Sequence, residues 1–372
     1  MSRVVLEHVT KRFGSTVAVD DLSLEIESGQ FFSLLGPSGC GKTTTMRLIA
    51  GLEIPDKGRI WIANKLVCDA NTGTFVSPGK RGVGMVFQNY ALWPHMTVRE
   101  NILFGLKVRR LTGNEQLSRL ERVLHRLQIS ELVDRFPNEL SGGQQQRIAL
   151  ARELVTGSGL LLMDEPLSNL DAKLRVDMRV ELKQLHEEGG GTIIYVTHDQ
   201  LEALTLSSRM AIMQSGRVRQ LGAPAEVFSL PSSLFVAEFM GNTPINLVEG
   251  VVTDSEIDLG GYRIPLPRRV ESWKAGASII LGARPEELSL SQEAGGPWSV
   301  EAVVEAVLLM GYESLVRVRI LHQDDPSQRS DITFTVSADE RTRSFGTGDR
   351  CFVDFNEKLI HLFHAESGDR VA

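Results

Sequence analysis

Cysteine is scarce in this chain and shows no pattern. Only three occur in 372 residues, Cys40, Cys68 and Cys351, with neither a pairing nor a metal-ligand spacing. Nothing therefore points to an oxidising compartment. Long apolar runs are missing as well. The nearest stretches, residues 159–163 and 277–281, are strand-length, against the roughly 20 residues a membrane helix needs. The opening MSRVVLEHVTKRF has no apolar core behind its charges, which argues against a signal peptide. Excess positive charge is lacking too. With 40 Lys and Arg against 47 Asp and Glu, the net charge is −7. That balance argues against nucleic acid as a partner and against anionic lipid holding the chain by charge alone. The expectation is a soluble intracellular protein.

What is present is ordinary globular composition, 42% apolar and 23% charged, so disordered and collagen-like readings fall away. A soft prior of about 150 residues per domain suggests two or three domains. The pattern changes near Gly241. Before it, strand-like runs alternate with helical patterns, as in an α/β domain. Leu117, Leu120, Leu124 and Leu127 recur at helical spacing, as do Leu174, Met178, Leu182 and Leu185; these stripes read as core faces. After it, Val316, Val318 and Ile320 alternate with arginines, and Ile332, Phe334 and Val336 alternate with threonines. That period predicts a small β-barrel or sandwich over 242–372.

The strongest local signal is Gly36-Pro37-Ser38-Gly39-Cys40-Gly41-Lys42-Thr43, which fits G-x-x-x-x-G-K-[ST] at every fixed place. Residues 31–35 before it read as a buried strand, and 44–52, starting at Thr44, as a helix. Glycines let the backbone bend around phosphates, and a helix N-terminus favours negative charge. Lys42 is expected to reach the β- and γ-phosphates of ATP, and the Thr43 hydroxyl to ligate Mg²⁺. Cys40 has a variable place in this loop, where the positive surroundings are expected to lower its pKa; it receives no catalytic role.

The second signal is Leu160-Leu161-Leu162-Met163-Asp164-Glu165. A continuous apolar run fits a strand covered on both faces of a parallel sheet, and open α/β sheets bind ligands at the carboxyl ends of their strands. Read alone, the acidic pair is also a loop start or a helix cap. Beside a phosphate loop, Asp164 becomes the metal-side acid and Glu165 the group that polarises the attacking water.

Leu140-Ser141-Gly142-Gly143-Gln144 resembles the signature motif of ABC ATPases, placed shortly before the acidic strand as in that family. Gln88, ending the run 83–87, matches the family's Q-loop glutamine, with a catalytic and metal-side role. Ser168-Asn169-Leu170-Asp171 matches the D-loop, and His198, after the strand-like run 192–196, matches the switch histidine. Phe13 is placed like the aromatic that stacks on adenine, or is a core residue. Asp171 also suits a helix cap. The resemblance implies an α/β P-loop domain over 1–241 with a helical subdomain around 89–154. It also implies a head-to-tail dimer in which Ser141, Gly142, Gly143 and Gln144 serve the ATP of the partner copy.

Arg81–Gln88 with Tyr90–His95, Thr197-His198-Asp199-Gln200 and Gly282-Ala283-Arg284-Pro285-Glu286 are similar to importer ATPase subunits of the maltose type, which carry a C-terminal OB-like (TOBE) regulatory domain. That resemblance implies two integral membrane permease subunits as partners and, indirectly, an external solute-binding protein. It implies a place on the cytoplasmic face of the membrane. Leu92, Trp93, Pro94 and Met96 are either core or a docking surface. Gly241–Asn246 leans towards a sugar, polyol or glycerol-phosphate cargo; polyamine, ferric iron, sulfate and phosphonate importers, or a soluble regulatory ATPase, are the alternatives.

Overall fold

The computed structural model describes residues 2–260, 262–267, 274–310, 313–321, 329–338 and 345–371. Residue contacts divide the chain into two compact units, Met1–Ala225 and Glu226–Ala372.

The first unit is built on a six-stranded sheet in the order Arg217–Gly222, Arg209–Gln214, Phe31–Leu35, Thr192–Thr197, Leu160–Asp164, Val83–Val86. All neighbours run parallel except the edge strand Arg217–Gly222. The central strands are apolar throughout because both faces are covered. Phe32, Leu34, Leu160, Leu162, Ile194 and Val196 face one core, which Met46 and Ile49 of the helix Lys42–Ala50 also enter. A five-stranded antiparallel sheet begun by Val4–Phe13 and Thr16–Ile26 closes that side. The alternate residues Phe31, Leu161, Met163, Ile193 and Tyr195 face a second core. That core is completed by the helices Val98–Val108, Gly113–Arg126, Gly142–Leu154 and Ala172–Gly189. Period-2 alternation thus sorts one apolar run into two cores.

The helical stripes behave largely as read. Leu120, Leu124, Leu127, Met178 and Leu182 are buried, and Leu174 and Leu185 pack partly against them. Leu117 is a correction: it is 49% exposed, because it stands in the second turn of its helix, before the stripe rotates onto the core. The phosphate-loop helix begins at Lys42 and ends at Ala50, two residues earlier at each end than its pattern suggested.

The second unit holds two five-stranded antiparallel sheets that share one apolar core. Val316, Val318, Ile320, Phe334 and Val336 are buried in it, as their alternation requires. The sequence pattern changes at Gly241, whereas the contacts place residues 226–241 with the β-strands. Arg284 supplies a reason. It is fully buried, donates from Nη1 to the Met240 carbonyl and from Nη2 to the Phe228 carbonyl at 3.0 Å, and stacks 4.0 Å from the Phe228 ring. Burial lowers the guanidinium pKa, with Glu287 and Glu286 opposing the shift. Replacing Arg284 by Met leaves two carbonyls without their charged donor. The expected cost is about 2–4 kcal/mol, seen by calorimetry as an earlier transition of the full chain. An unchanged transition would show that the segment is held by other contacts.

Candidate active site

The phosphate loop connects the strand Phe31–Leu35 to the helix Lys42–Ala50. Two glycines are dictated by space. A Cβ on Gly36 would lie 2.3 Å from the Met213 carbonyl oxygen, and one on Gly41 would lie 2.2 Å from that of Ala18. Gly41 also has φ of 105°, outside the reach of ordinary side chains. Lys42 is 5% exposed and lies within the loop, its Nζ donating to the Gly36 carbonyl at 2.7 Å and the Pro37 carbonyl at 3.0 Å.

The adjacent strand ends complete the site. Thr43 Oγ1 donates to Asp164 Oδ1 at 3.0 Å, linking residues 121 positions apart. Burial pushes the Asp164 carboxyl up; the Thr43 hydrogen bond opposes the shift and the charge of Glu165 adds to it. Glu165 is a non-glycine residue with φ of 44°, a conformation costing about 1–3 kcal/mol. Its N–H donates to the Val196 carbonyl at 2.9 Å, and its own carbonyl accepts from Ser168 N at 3.2 Å and Oγ at 2.8 Å. So clamped, its carboxylate stands 3.1 Å from His198 Nδ1. The histidine itself follows the strand Thr192–Thr197.

The remaining motif residues surround this centre. Asn169 Nδ2 donates to the Gln88 carbonyl at 3.0 Å, joining the turn after Val83–Val86 to the segment after Glu165. Gln88 itself is exposed. Asp171 caps the helix Ala172–Gly189 through Leu174 N at 2.9 Å. Ser141 caps Gly142–Leu154 in a reciprocal box with Gln144. Gly143 is buried, and a Cβ there would meet Leu174 Cδ2 at 2.5 Å; Gly142 lies against Leu170 and Asn169. The signature segment therefore packs on the 169–174 turn. Phe13 is 48% exposed, with Lys11 Nζ 5.1 Å from its ring, so it is not a core residue.

Cys40 requires a correction. It is 4% exposed, and burial raises its pKa, outweighing the opposing pull of the Lys42 charge. The loop's composition points to the ammonium as the dominant influence, but the thiol lies where its anion is poorly solvated.

Several supporting groups received no role from the motifs. Tyr195 and Thr197 donate to the Glu202 carboxyl at 2.9 and 2.7 Å, and Thr197 Oγ1 accepts from Asp199 N. His198 thus sits between two anchored neighbours. Arg175 reaches both Asp199, at 3.6 Å, and the Leu170 carbonyl, at 3.1 Å. No residue pattern marked these groups: Tyr195 and Thr197 lie in a strand that reads only as apolar, and Arg175 lies in a helix rich in charge.

Known proteins of similar sequence bear on this arrangement. A family model described as ABC transporter matches residues 19–168, and a TOBE domain model matches 281–363. The trehalose/maltose import ATP-binding protein MalK of Thermococcus litoralis is 45% identical over 100% of both chains. The chain belongs to the ABC transporter family. The sn-glycerol-3-phosphate import ATP-binding protein UgpC of Escherichia coli is 40% identical over 100% of both chains. Among solved structures, a dimeric post-hydrolysis state of the ATP-binding cassette MJ0796 bound to ADP and Pi is similar. It has a TM-score of 0.52 and 33% identity, over 59% of this chain and 98% of that one. The chain is accordingly an ABC ATPase with an α/β nucleotide-binding domain and an all-β C-terminal domain.

The close fit at Gly41 makes a direct prediction for this ABC ATPase. Gly41→Ala pushes a methyl into a backbone oxygen, so the loop must open. ATP binding is expected to fall by at least about 100-fold, with a stability loss of about 2–4 kcal/mol. Titration calorimetry and thermal unfolding check this; normal ATP affinity would contradict the loop geometry.

Proposed function

We propose that this chain is the energy-coupling ATPase subunit of an importer for a sugar or a related polyol or glycerol phosphate. The observation that carries the catalytic part is the pair of short contacts at neighbouring strand ends, Thr43–Asp164 at 3.0 Å and Glu165–His198 at 3.1 Å. The names of the full-length relatives support the importer role and the class of cargo.

In this reading the backbone of Gly36 to Thr44 cradles the triphosphate of ATP, Lys42 supplies positive charge to it, and Phe13 offers an exposed ring to adenine. Glu165 takes the proton of the attacking water, and His198, on that carboxylate, contacts the γ-phosphate. The Thr43 hydroxyl and Asp164 are hard oxygen donors side by side, which fits Mg²⁺. Among the described residues no cluster of three His, Cys, Asp or Glu occurs, and an ion shared with substrate phosphates needs only one or two protein ligands. When bound, Mg²⁺ neutralises charge on the phosphates; Gln88 is the further residue we assign to its side of the site.

Ser141 to Gln144 open a capped helix whose N-terminus favours anions. With one phosphate loop per chain, a second anion-binding helix start is useful to a second copy, and the dimeric cassette among the similar structures supports a shared site. Phe87, Trp93, Phe104 and Gly105 line a cavity of about 330 Å³, and Phe104 is 37% exposed. We assign this apolar recess to the permease subunits. No helix among the described residues is long and apolar enough to cross a membrane, so attachment to the cytoplasmic face is assigned to those partners. An external solute-binding protein then acts only through them. The β-unit, which shows no phosphate loop of its own, is assigned to holding the dimer and to regulation.

Glu165→Gln tests the chemistry. It keeps shape but removes the base, so turnover is expected to fall by about 10²–10⁴-fold with ATP still bound. Lys42→Ala is expected to lose affinity as well as rate. Near-normal hydrolysis by Glu165→Gln would refute the assignment of the base.

A further inference from the structure

The turn that carries Gln88 is held in an unfavourable backbone conformation. Tyr90 and Ala91, two and three residues beyond it, stand consecutively in the left-handed region, with φ of 60° and 44°. Neither is glycine, and L residues resist this region because Cβ crowds the following carbonyl. The segments on either side are anchored independently. Asn169 fixes the Gln88 carbonyl, and the fully buried Asn101 binds the backbone of Trp93, Met96 and Thr97 at 2.9–3.1 Å.

One side chain serves the strained pair itself. Arg152, in the last turn of the helix Gly142–Leu154, donates from Nη1 to the Ala91 carbonyl at 2.6 Å and from Nη2 to the Tyr90 carbonyl at 3.1 Å. Its Nε donates to Glu153 at 3.1 Å, and its guanidinium lies 5.1 Å from the Trp93 ring. It is 6% exposed, so these bonds are made away from water, where charge-assisted hydrogen bonds are strong. The rigid fork matters: three separate nitrogens of one planar group serve Ala91, Tyr90 and Glu153 at once, an arrangement that a Lys ammonium, with all its donors on one atom, does not reproduce.

We propose that Arg152 is a positioning residue for the ATPase reaction, holding the 88–91 turn in its left-handed form so that Gln88 is presented to the nucleotide site. The helix that carries Arg152 is capped at its other end by Ser141, so the same element joins the signature segment to this turn. A shift of the helix along its axis would draw both carbonyls with it. The inference rests on the role assigned to Gln88 above.

The test uses four full-length variants: Arg152→Lys, Ala91→Gly, the two combined, and Gln88→Ala. Arg152→Lys keeps the charge beside Glu153 but loses the fork. Its kcat is expected to fall about tenfold with the KM for ATP within about twofold of the parent, since only the presented geometry changes. Ala91→Gly alone is expected to stay within about twofold. Glycine adopts the left-handed form without penalty, so the combined variant should recover to within about threefold of the parent. Hydrogen exchange gives a second readout. In Arg152→Lys, amides 89–92 are expected to exchange about tenfold faster, while Leu160–Asp164 is unchanged. Multiplicative, independent effects of the two substitutions would overturn the proposal. So would faster exchange across the whole chain, the mark of a general stability role. If Gln88→Ala turns over normally, the Gln88 assignment itself fails. If it is slow while Arg152→Lys is normal, only the role of Arg152 fails.

Discussion

Phe31–Leu35, Thr192–Thr197 and Leu160–Asp164 are neighbouring parallel strands, and their register sets Leu35 opposite Thr197 and Asp164 opposite Val196. The groups proposed to carry the reaction are attached at or just beyond these three ends. The phosphate loop follows the first strand, His198 the second and Glu165 the third, while Asp164 is the last residue of the third. A slip of one residue would turn Asp164 to the other face and bury a charge among the apolar side chains of the core. The two apolar cores on either face of the sheet make such a slip costly. Both faces are apolar, so the displaced side chains would stay buried but in spaces of the wrong shape, and such mispacking costs about 1–3 kcal/mol each. Thr43–Asp164 and Glu165–His198 are consequences of that register, not its cause.

Against this rigid sheet, the segments assigned to the ligand under the proposed function include backbone held in costly conformations. Glu165, Tyr90 and Ala91 all have positive φ without being glycine. Each is fixed by hydrogen bonds from a different element: Val196 and Ser168 for Glu165, Arg152 for the other two. Strain of this kind persists only where surrounding structure over-determines it, and it is concentrated where loops must present a side chain in one direction. The burial of Asp164 belongs to the same pattern, since its carboxyl is pushed up by desolvation against the opposing pull of the Thr43 hydroxyl and the charges of Arg47 and Lys42.

Much of this was legible in the residues alone. The phosphate loop, the acidic strand end and the signature segment are recognisable by fixed residue types at fixed spacing, and the alternation around Val316–Ile320 and Ile332–Val336 announced strands that bury five of the six residues it named and half-bury Ile332. What the sequence did not disclose depends on three-dimensional packing. Cys40 looked electrostatically activated, yet desolvation outweighs the nearby ammonium. Leu117 fitted the helical period but lies before its helix meets the core. Arg284 and Arg152 resemble surface residues by type, and only their buried contacts with backbone carbonyls explain where the second unit begins and how the turn after Gln88 is held. Gly143 read as an anion-binding glycine, and its contact with Leu174 adds a packing reason that spacing could not express.

On the proposed function, each chain holds a complete phosphate loop but an incomplete catalytic site, finished by the signature segment of a second copy. Nucleotide retention after rapid gel filtration tests it most directly, with Glu165→Gln present in every chain to block turnover. Lys42→Ala chains, Ser141→Arg chains and their equimolar mixture are compared. A shared site predicts little retained ATP for either variant alone and clear retention for the mixture, in which one hybrid site has both elements intact. Full retention by Ser141→Arg chains alone would contradict the account, because it would mean that a single chain closes its own site.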